Sequence, residues 1–436
     1  MEQINLLNYR CFKNMTLVFK KNVNVLIGDN SSGKTTILRA LSQVMSTFFT
    51  GYSDEHTRLK GLSIEDFSIN NSQTGLKNQK PVSLKFVLLG TVSVMNLVST
   101  KSKTQKRPLE SIFNLGKHLQ NNLFEGTVQV LALPLFASFS TNDIHGIRKI
   151  SFEPFKQYLH KPSFGYFECL QGDGLLPYWT KRLLVLKEGE TGDLEMWGVL
   201  RAVMDALDDG GCGIINDMHV RPQQGQVHYF TTDGRMTTTE NLSDGYKRLV
   251  NIVVDLAFRC MLLNQGIYGD QACKKTEGTV LIDEIDLHLH PSLQGKVLPG
   301  LRRAFPRLQF IVSTHAPMVM TGVKIDEECI IYKLNYSREN DYTATPVELY
   351  GLDASTIMEV ALHTIPRSKD VDEQLKTLFN FIDTDQYVEA SNLLREMRKQ
   401  FGDNLPELAK AEAMLNFLNQ GETDPVVKMK ENDQDK

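Results

Sequence analysis

The chain has 436 residues, 41% of them hydrophobic and 23% charged, which suits a soluble globular protein with two or three filled cores. A formal charge of -4 excludes a bulk electrostatic pull on nucleic acid, so DNA contact would need a local basic patch. The six cysteines are scattered with no C-x-x-C pair, which argues against a zinc site and a secreted disulfide framework and for reduced thiols in a cytoplasmic protein.

The opening MEQINLLNYRCFKN lacks a basic region followed by an apolar core and does not read as a signal peptide. Ile4, Leu6 and Leu7 form a strand that turns at Tyr9-Arg10-Cys11-Phe12, and Met15 to Phe19 alternates as a second strand. A third, Val23 to Ile27, ends in the turn Gly28-Asp29-Asn30-Ser31-Ser32-Gly33. Apolar residues at Ile37, Leu38, Leu41 and Val44 then mark a helix from Lys34.

Gly51 to Lys80 is polar and broken by Gly, Ser and Asn, so loop is expected there, before a strand at Val82 to Leu89. The basic stretch Lys101 to Arg107 reads as an exposed loop opening an inserted lobe of mixed structure. Within it, Val128 to Phe139 is too short to span a bilayer and carries Pro134, so it reads as a buried strand and turn, and no membrane is implied. Trp197 to Leu207 has helical texture.

The main fold resumes at His228-Tyr229-Phe230, followed by the turn Asp233-Gly234 and a helix from Ser243 to Leu263. The strand Gly278 to Ile282 runs into Asp283-Glu284, a helix starts near Pro291, and the strand Leu308 to Val312 runs into Ser313-Thr314-His315. Strands alternating with helices predict an α/β class. Val371, Leu375, Leu378, Phe379 and Ile382, then Tyr387, Ala390, Leu393, Leu394 and Met397, then Leu408, Ala411, Leu415 and Leu418 mark three amphipathic helices. Asp383-Thr384-Asp385 and Asp403-Asn404 are expected to cap them. The divisions expected are a first lobe over residues 1–95, an inserted lobe over 96–225, a second lobe over 226–350, a helical region over 351–420 and a charged, disordered tail over 421–436.

The chemistry lies in four short segments. Gly28 to Thr35 fits G-x-x-x-x-G-K-S/T between a strand and a helix, the pattern of a loop that wraps phosphates with backbone N–H groups. In that reading Gly28, Asp29, Asn30, Ser31, Ser32, Gly33, Lys34, Thr35 and Thr36 hold the nucleotide, Lys34 reaches its outer phosphates, and the Thr35 hydroxyl meets Mg²⁺. Thr279 to Glu284 is an apolar strand ending in two carboxylates, with Asp283 for Mg²⁺ and Glu284 to polarise the attacking water. ATP and Mg²⁺ are the ligands implied. Asp286-Leu287-His288-Leu289-His290 follows. Two histidines without a third ligand favour a loop over a metal site.

Leu242-Ser243-Asp244-Gly245-Tyr246 resembles the ABC signature, and Ser313-Thr314-His315 resembles the switch histidine, in the order of ABC ATPases. The resemblance implies an ABC-type head with an inserted lobe, Ser243 and Gly245 meeting ATP held by another subunit in a head-to-head dimer, and His315 acting beside Glu284 in catalysis. Asp244-Gly245-Tyr246 departs from the usual Gly-Gly-Gln, and a carboxylate there disfavours brisk hydrolysis. The glutamine that usually links metal and water to the inserted lobe has no assigned position.

D-E-x-D-L-H-L-H-P, with N-Y-R-C-F near the start, is similar to the branch of ABC ATPases that holds RecF, SMC and OLD-family heads, over roughly residues 1–90 and 225–335. The insert is too short for an SMC coiled coil, and nothing resembles the acidic nuclease domain of OLD proteins. The tail, from Gly351-Leu352-Asp353-Ala354 through Ile365-Pro366-Arg367 to Pro406-Glu407-Leu408, resembles the PtuA family of ATPases in Septu-type anti-phage systems, found also in some retron systems. That resemblance implies a PtuB-like HNH endonuclease partner, higher oligomers built from head dimers, and DNA reached through the complex. The sequence has no H-N-H cluster and no TOPRIM-like acidic set, so no nuclease activity is expected in this chain alone. The alternative is a RecF- or OLD-like repair ATPase that binds DNA itself.

Overall fold

The computed structural model describes residues 1–53, 57–72, 75–141, 161–172, 174–189, 193–364, 367–402 and 404–421. Most of the charged tail expected at 421–436 lies outside them. The described residues form two compact units, Met1–Leu362 and His363–Lys436.

In the first unit the chain opens with β1 (Gln3–Tyr9) and β2 (Phe12–Val18), which pair antiparallel with Leu6 opposite Met15. β1 also pairs antiparallel with Val82–Leu88, which pairs with Thr91–Leu97, giving a four-stranded sheet. Its residues alternate between covered and open faces, with Ile4, Leu6, Leu84 and Phe86 on the covered one. β3 (Val23–Gly28) is buried along its whole length and is the strand of a second sheet that leads into helix α1 (Lys34–Ser46).

This second sheet has six strands in the order Leu135–Phe139, Gly278–Ile282, Leu308–Ser313, β3, Cys329–Ser337, Asp341–Pro346. The first five run parallel and the last antiparallel. Near-continuous apolar strands such as VNVLIG and LQFIVS suit a parallel sheet covered on both faces. Each buried Val, Leu or Ile there is worth about 1.5–3 kcal/mol relative to exposure. The parallel order brings the ends of β3, Gly278–Ile282 and Leu308–Ser313 to one edge, where open α/β sheets bind ligands.

Several expected divisions move. Leu135–Phe139 falls inside the segment read as an inserted lobe, yet it is a strand of the main sheet, paired along Gly278–Ile282. A cut at 225/226 would divide the hairpin of Ile215–Arg221 and Gln226–Thr231. The helix Leu176–Glu188 also joins the main body, because Trp179 stacks on Phe258 at 4.8 Å and its Nε1 donates to Asp255 at 2.6 Å. Asp193–Leu207 joins it where Gly198 lies so close that an added Cβ would sit 2.4 Å from Met261 Sδ. Asp255 and Phe258 belong to the 25-residue helix Asp244–Tyr268. An 18-residue window of the stretch Asp244–Lys275 is apolar enough to cross a membrane by composition, but 83% of it is buried inside the protein. The loop expected before Lys80 contains the hairpin Ile69–Ser72/Gly75–Asn78.

The helix Ala354–Val360 lies in the first unit, so the helical region begins after Leu362 rather than at 351. The second unit contains Lys369–Asp383, Tyr387–Phe401 and Pro406–Gly421, packed through Leu375, Leu378, Ile382, Ala390, Leu394, Met397, Leu408, Ala411 and Leu415. Asp385 does not cap the second of these. Its carboxylate accepts from the Tyr387 hydroxyl at 2.6 Å, and the cap residue is Gln386 without a side-chain bond. Of the six free cysteines, five are buried and Cys11 is half-buried.

Candidate nucleotide site

The phosphate-binding loop starts where β3 ends. Gly28 and Gly33 have φ of 144° and 97°, a region that residues other than glycine rarely adopt, and Ser31 between them has 69°. A Cβ on Gly28 would lie 2.4 Å from the Leu334 carbonyl oxygen, and one on Gly33 2.4 Å from Phe12 Cζ. Packing and backbone therefore both demand glycine. α1 starts at Lys34 with no side-chain cap and no acidic residue in its first turn, which leaves its first N–H groups free for an anion.

Lys34 is buried, and its ammonium folds back on the loop, donating to the carbonyls of Gly28 at 2.8 Å and Asp29 at 3.0 Å and to Ser32 Oγ at 3.4 Å. Burial lowers its pKa, and the carboxylates of Asp283, Asp29, Glu284 and Asp286 oppose the shift. Thr35 is exposed and Thr36 half-buried at the start of α1.

Asp283 stands at the end of Gly278–Ile282, with its N–H on the Phe139 carbonyl at 2.9 Å and Oδ1 accepting from Ser313 Oγ at 2.5 Å. Ser313 Oγ also accepts the Glu284 N–H at 2.8 Å, so one hydroxyl bridges both residues. Glu284 has a φ of 48°, a conformation that a non-glycine residue keeps only when its surroundings hold it. Thr314 Oγ1 donates to Asp286 and accepts from the Ala316 N–H at 3.0 Å, fixing the turn before His315. Burial pulls the His315 pKa below its usual value, and Lys34 adds to that, while Asp286, Glu284 and Asp29 oppose it. The imidazole is therefore neutral at pH 7 and has an N–H to donate.

Asp29, Lys34, Asp283, Glu284, Asp286 and His315 thus share one electrostatic neighbourhood at the carboxyl edge of the parallel sheet. Ser243 and Gly245 are not among these groups and stand at the start of the helix Asp244–Tyr268. Ser243 is exposed and makes no side-chain cap bond. Asp244 is also exposed, so its carboxylate needs no pairing. Gly245 packs on the turn that follows Asp283-Glu284, and a Cβ there would meet the His288 carbonyl oxygen at 2.4 Å. His290 Nδ1 accepts from the Ser292 N–H at 3.3 Å, a cap rather than a metal ligand. No group of three or more His, Cys, Asp or Glu side chains that would hold a metal occurs among the described residues.

Two features escaped the sequence reading. Arg248, 1% exposed, donates from its two terminal nitrogens to the carbonyls of Glu284 and Asp283, each at 2.7 Å. The second is the stretch after Leu135–Phe139: the Phe139 carbonyl takes the Asp283 N–H, and the Ser140 N–H donates to the Gly172 carbonyl at 2.8 Å. Arg248 stands five positions after Ser243, and its acceptors are main-chain carbonyls, which no residue type marks in a sequence.

Residues 3–168 match a model described as "AAA domain", and residues 148–321 match one described as "AAA domain, putative AbiEii toxin, Type IV TA system". The chain is 24% identical to "Retron Vc95 probable ATPase" of Vibrio cholerae serotype O1 biovar El Tor over 444 residues, covering 85% of this chain and 81% of that one. It is 22% identical to "Septu protein PtuA" of Bacillus thuringiensis over 413 residues, covering 89% of this chain and 95% of that one. Among solved structures, an SMC head bound to the C-winged helix domain of ScpA aligns at a TM-score of 0.46 and 16% identity, over 80% of this chain and 98% of that one. The chain is an ATPase, similar in sequence to PtuA and to a retron ATPase.

Proposed function

We propose that this ATPase works in bacterial anti-phage defence, closing head to head around two ATP molecules and so controlling a partner HNH endonuclease. The similarity to PtuA and to a retron ATPase across more than four-fifths of the chain supports the defence setting. The observation that carries the ATP reading is the gathering of Lys34, Asp283, Glu284 and His315 at one sheet edge. Lys34 would exchange its loop carbonyls for the β and γ phosphates, Glu284 would orient the attacking water, and neutral His315 would donate its N–H to a γ-phosphate oxygen. The exposed Thr35 hydroxyl and the Asp283 carboxylate are hard oxygen donors that fit Mg²⁺, which would neutralise charge on the phosphates.

Ser243 stands exposed at a helix N-terminus and makes no side-chain bond of its own, as suits a residue that serves ATP held by a second copy. Asp244, in the first turn of that helix, makes the closed state costly and favours ATP as a switch over rapid turnover. Light scattering tests the dimer. Mg-ATP should raise the mass of the wild type but not of Ser243→Arg, while both bind ATP equally. An equal mass increase in the variant would refute the head-to-head contact.

A further inference from the structure

The helix that starts at the signature is bolted to the turn that carries Glu284. Two contacts make the joint. Gly245 lies against the His288 carbonyl so closely that a Cβ would sit 2.4 Å from its oxygen. Arg248, one turn further along the helix, is 1% exposed and bonds the carbonyls of Asp283 and Glu284 at 2.7 Å each.

The planar guanidinium suits that task, since its terminal nitrogens present donors in a fixed fork, whereas a lysine offers a single ammonium. Glu284 needs such a grip. Its φ of 48° costs conformational energy. Ser313 Oγ holds its N–H and the Leu287 N–H its carbonyl at 2.9 Å, and Arg248 is the side chain that takes the carbonyls on both sides of it. Rotating either peptide would re-aim the carboxylate.

We infer that Arg248 is a positioning residue through which the signature helix sets the Glu284 carboxylate, so that ATP at one site governs hydrolysis at the other. This rests on the head-to-head reading. Ser243 of one copy meets the ATP of the second, while Arg248 of the same helix holds the Glu284 that serves its own ATP. A small shift of the helix N-terminus against a bound phosphate passes along a rigid element to two carbonyls. The two sites are thereby linked without a direct contact between nucleotides.

Steady-state ATP hydrolysis, ATP affinity by calorimetry and ATP-driven mass by light scattering test this in Arg248→Gln, Arg248→Lys and Glu284→Gln. Arg248→Gln should lower kcat by about 10²-fold, the scale of a roughly 1 Å misplacement, with ATP affinity and dimer mass unchanged. Arg248→Lys should recover part of kcat, and in both variants the Hill coefficient for ATP should fall from above 1 towards 1. If Arg248→Gln does not fold, the conservative Arg248→Lys carries the same kcat and Hill readout. Wild-type kcat and Hill coefficient in a folded Arg248→Lys would overturn the inference, as would loss of ATP affinity in step with kcat. Glu284→Gln separates the layers. Full hydrolysis in Glu284→Gln would instead refute the role of Glu284, and an ATP-independent mass would refute the dimer.

Discussion

Replacing Lys34 with methionine removes the ammonium and keeps an apolar stem of similar length. Without nucleotide, that ammonium makes three hydrogen bonds to its own loop, each worth about 0.5–1.5 kcal/mol net. Burial nevertheless leaves its pKa below the usual lysine value, so the folded site disfavours the charge on balance. The sign follows from linkage. Between the folded-state pKa and 10.5 the unfolded chain binds more proton, so below that window the wild type carries a penalty that Lys34→Met lacks. The ligand-free variant should therefore melt no lower than the wild type.

With Mg-ATP the order reverses. At a hundredfold excess over Kd, binding stabilises the wild type by about 2.7 kcal/mol. For the unit Met1–Leu362, an unfolding entropy of about 2.1 cal/mol/K per residue converts this to a Tm rise of about 3–4 °C. Lys34→Met should show no rise. Differential scanning fluorimetry with and without Mg-ATP reads both effects. A ligand-free drop of several degrees with the ATP shift intact would make Lys34 a structural cation and refute the reasoning.

Two further outcomes follow from the same geometry. His315 has a lowered pKa, so its protonation costs stability as pH falls from 6.5 through the folded-state value, and His315→Asn should lose that dependence. Ligand-free melting at pH 7.5 and pH 5 should show the wild type losing ground to the variant at the lower pH, and a constant gap would refute the burial argument. Asp244→Gly removes a favourable charge from the first turn of its helix and adds a glycine, costing about 1 kcal/mol, or about 1–2 °C in Tm. It should tighten the ATP-driven dimer, and weaker dimerisation by light scattering would show that the carboxylate faces away from phosphate.

Much of the site was legible because each motif is a short run whose local geometry needs those residues. Gly28 and Gly33 mark positive φ, and the apolar run Gly278–Ile282 marks a buried strand that delivers Asp283 and Glu284 to its end. The helical faces around Leu378, Ala390 and Ala411 were legible for the same reason, since a period of 3.6 is written locally. Boundaries were less so. Leu135–Phe139 reads as a buried strand from its own residues, but nothing in them says that it pairs with Gly278–Ile282.

By itself the sequence determined the strand–loop–helix units, the acidic strand end and an order of motifs that resembles that of ABC ATPases. Tertiary structure alone decided the parallel order that gathers Lys34, Asp283, Glu284 and His315, the Ser313 bridge between the carboxylate residues, and the grip of Arg248 on carbonyls 35 and 36 positions away. The reason is physical. A turn or helix is set by side chains within a few residues, whereas strand order is set by long-range pairing, and every residue carries the same carbonyl oxygen for an arginine to find.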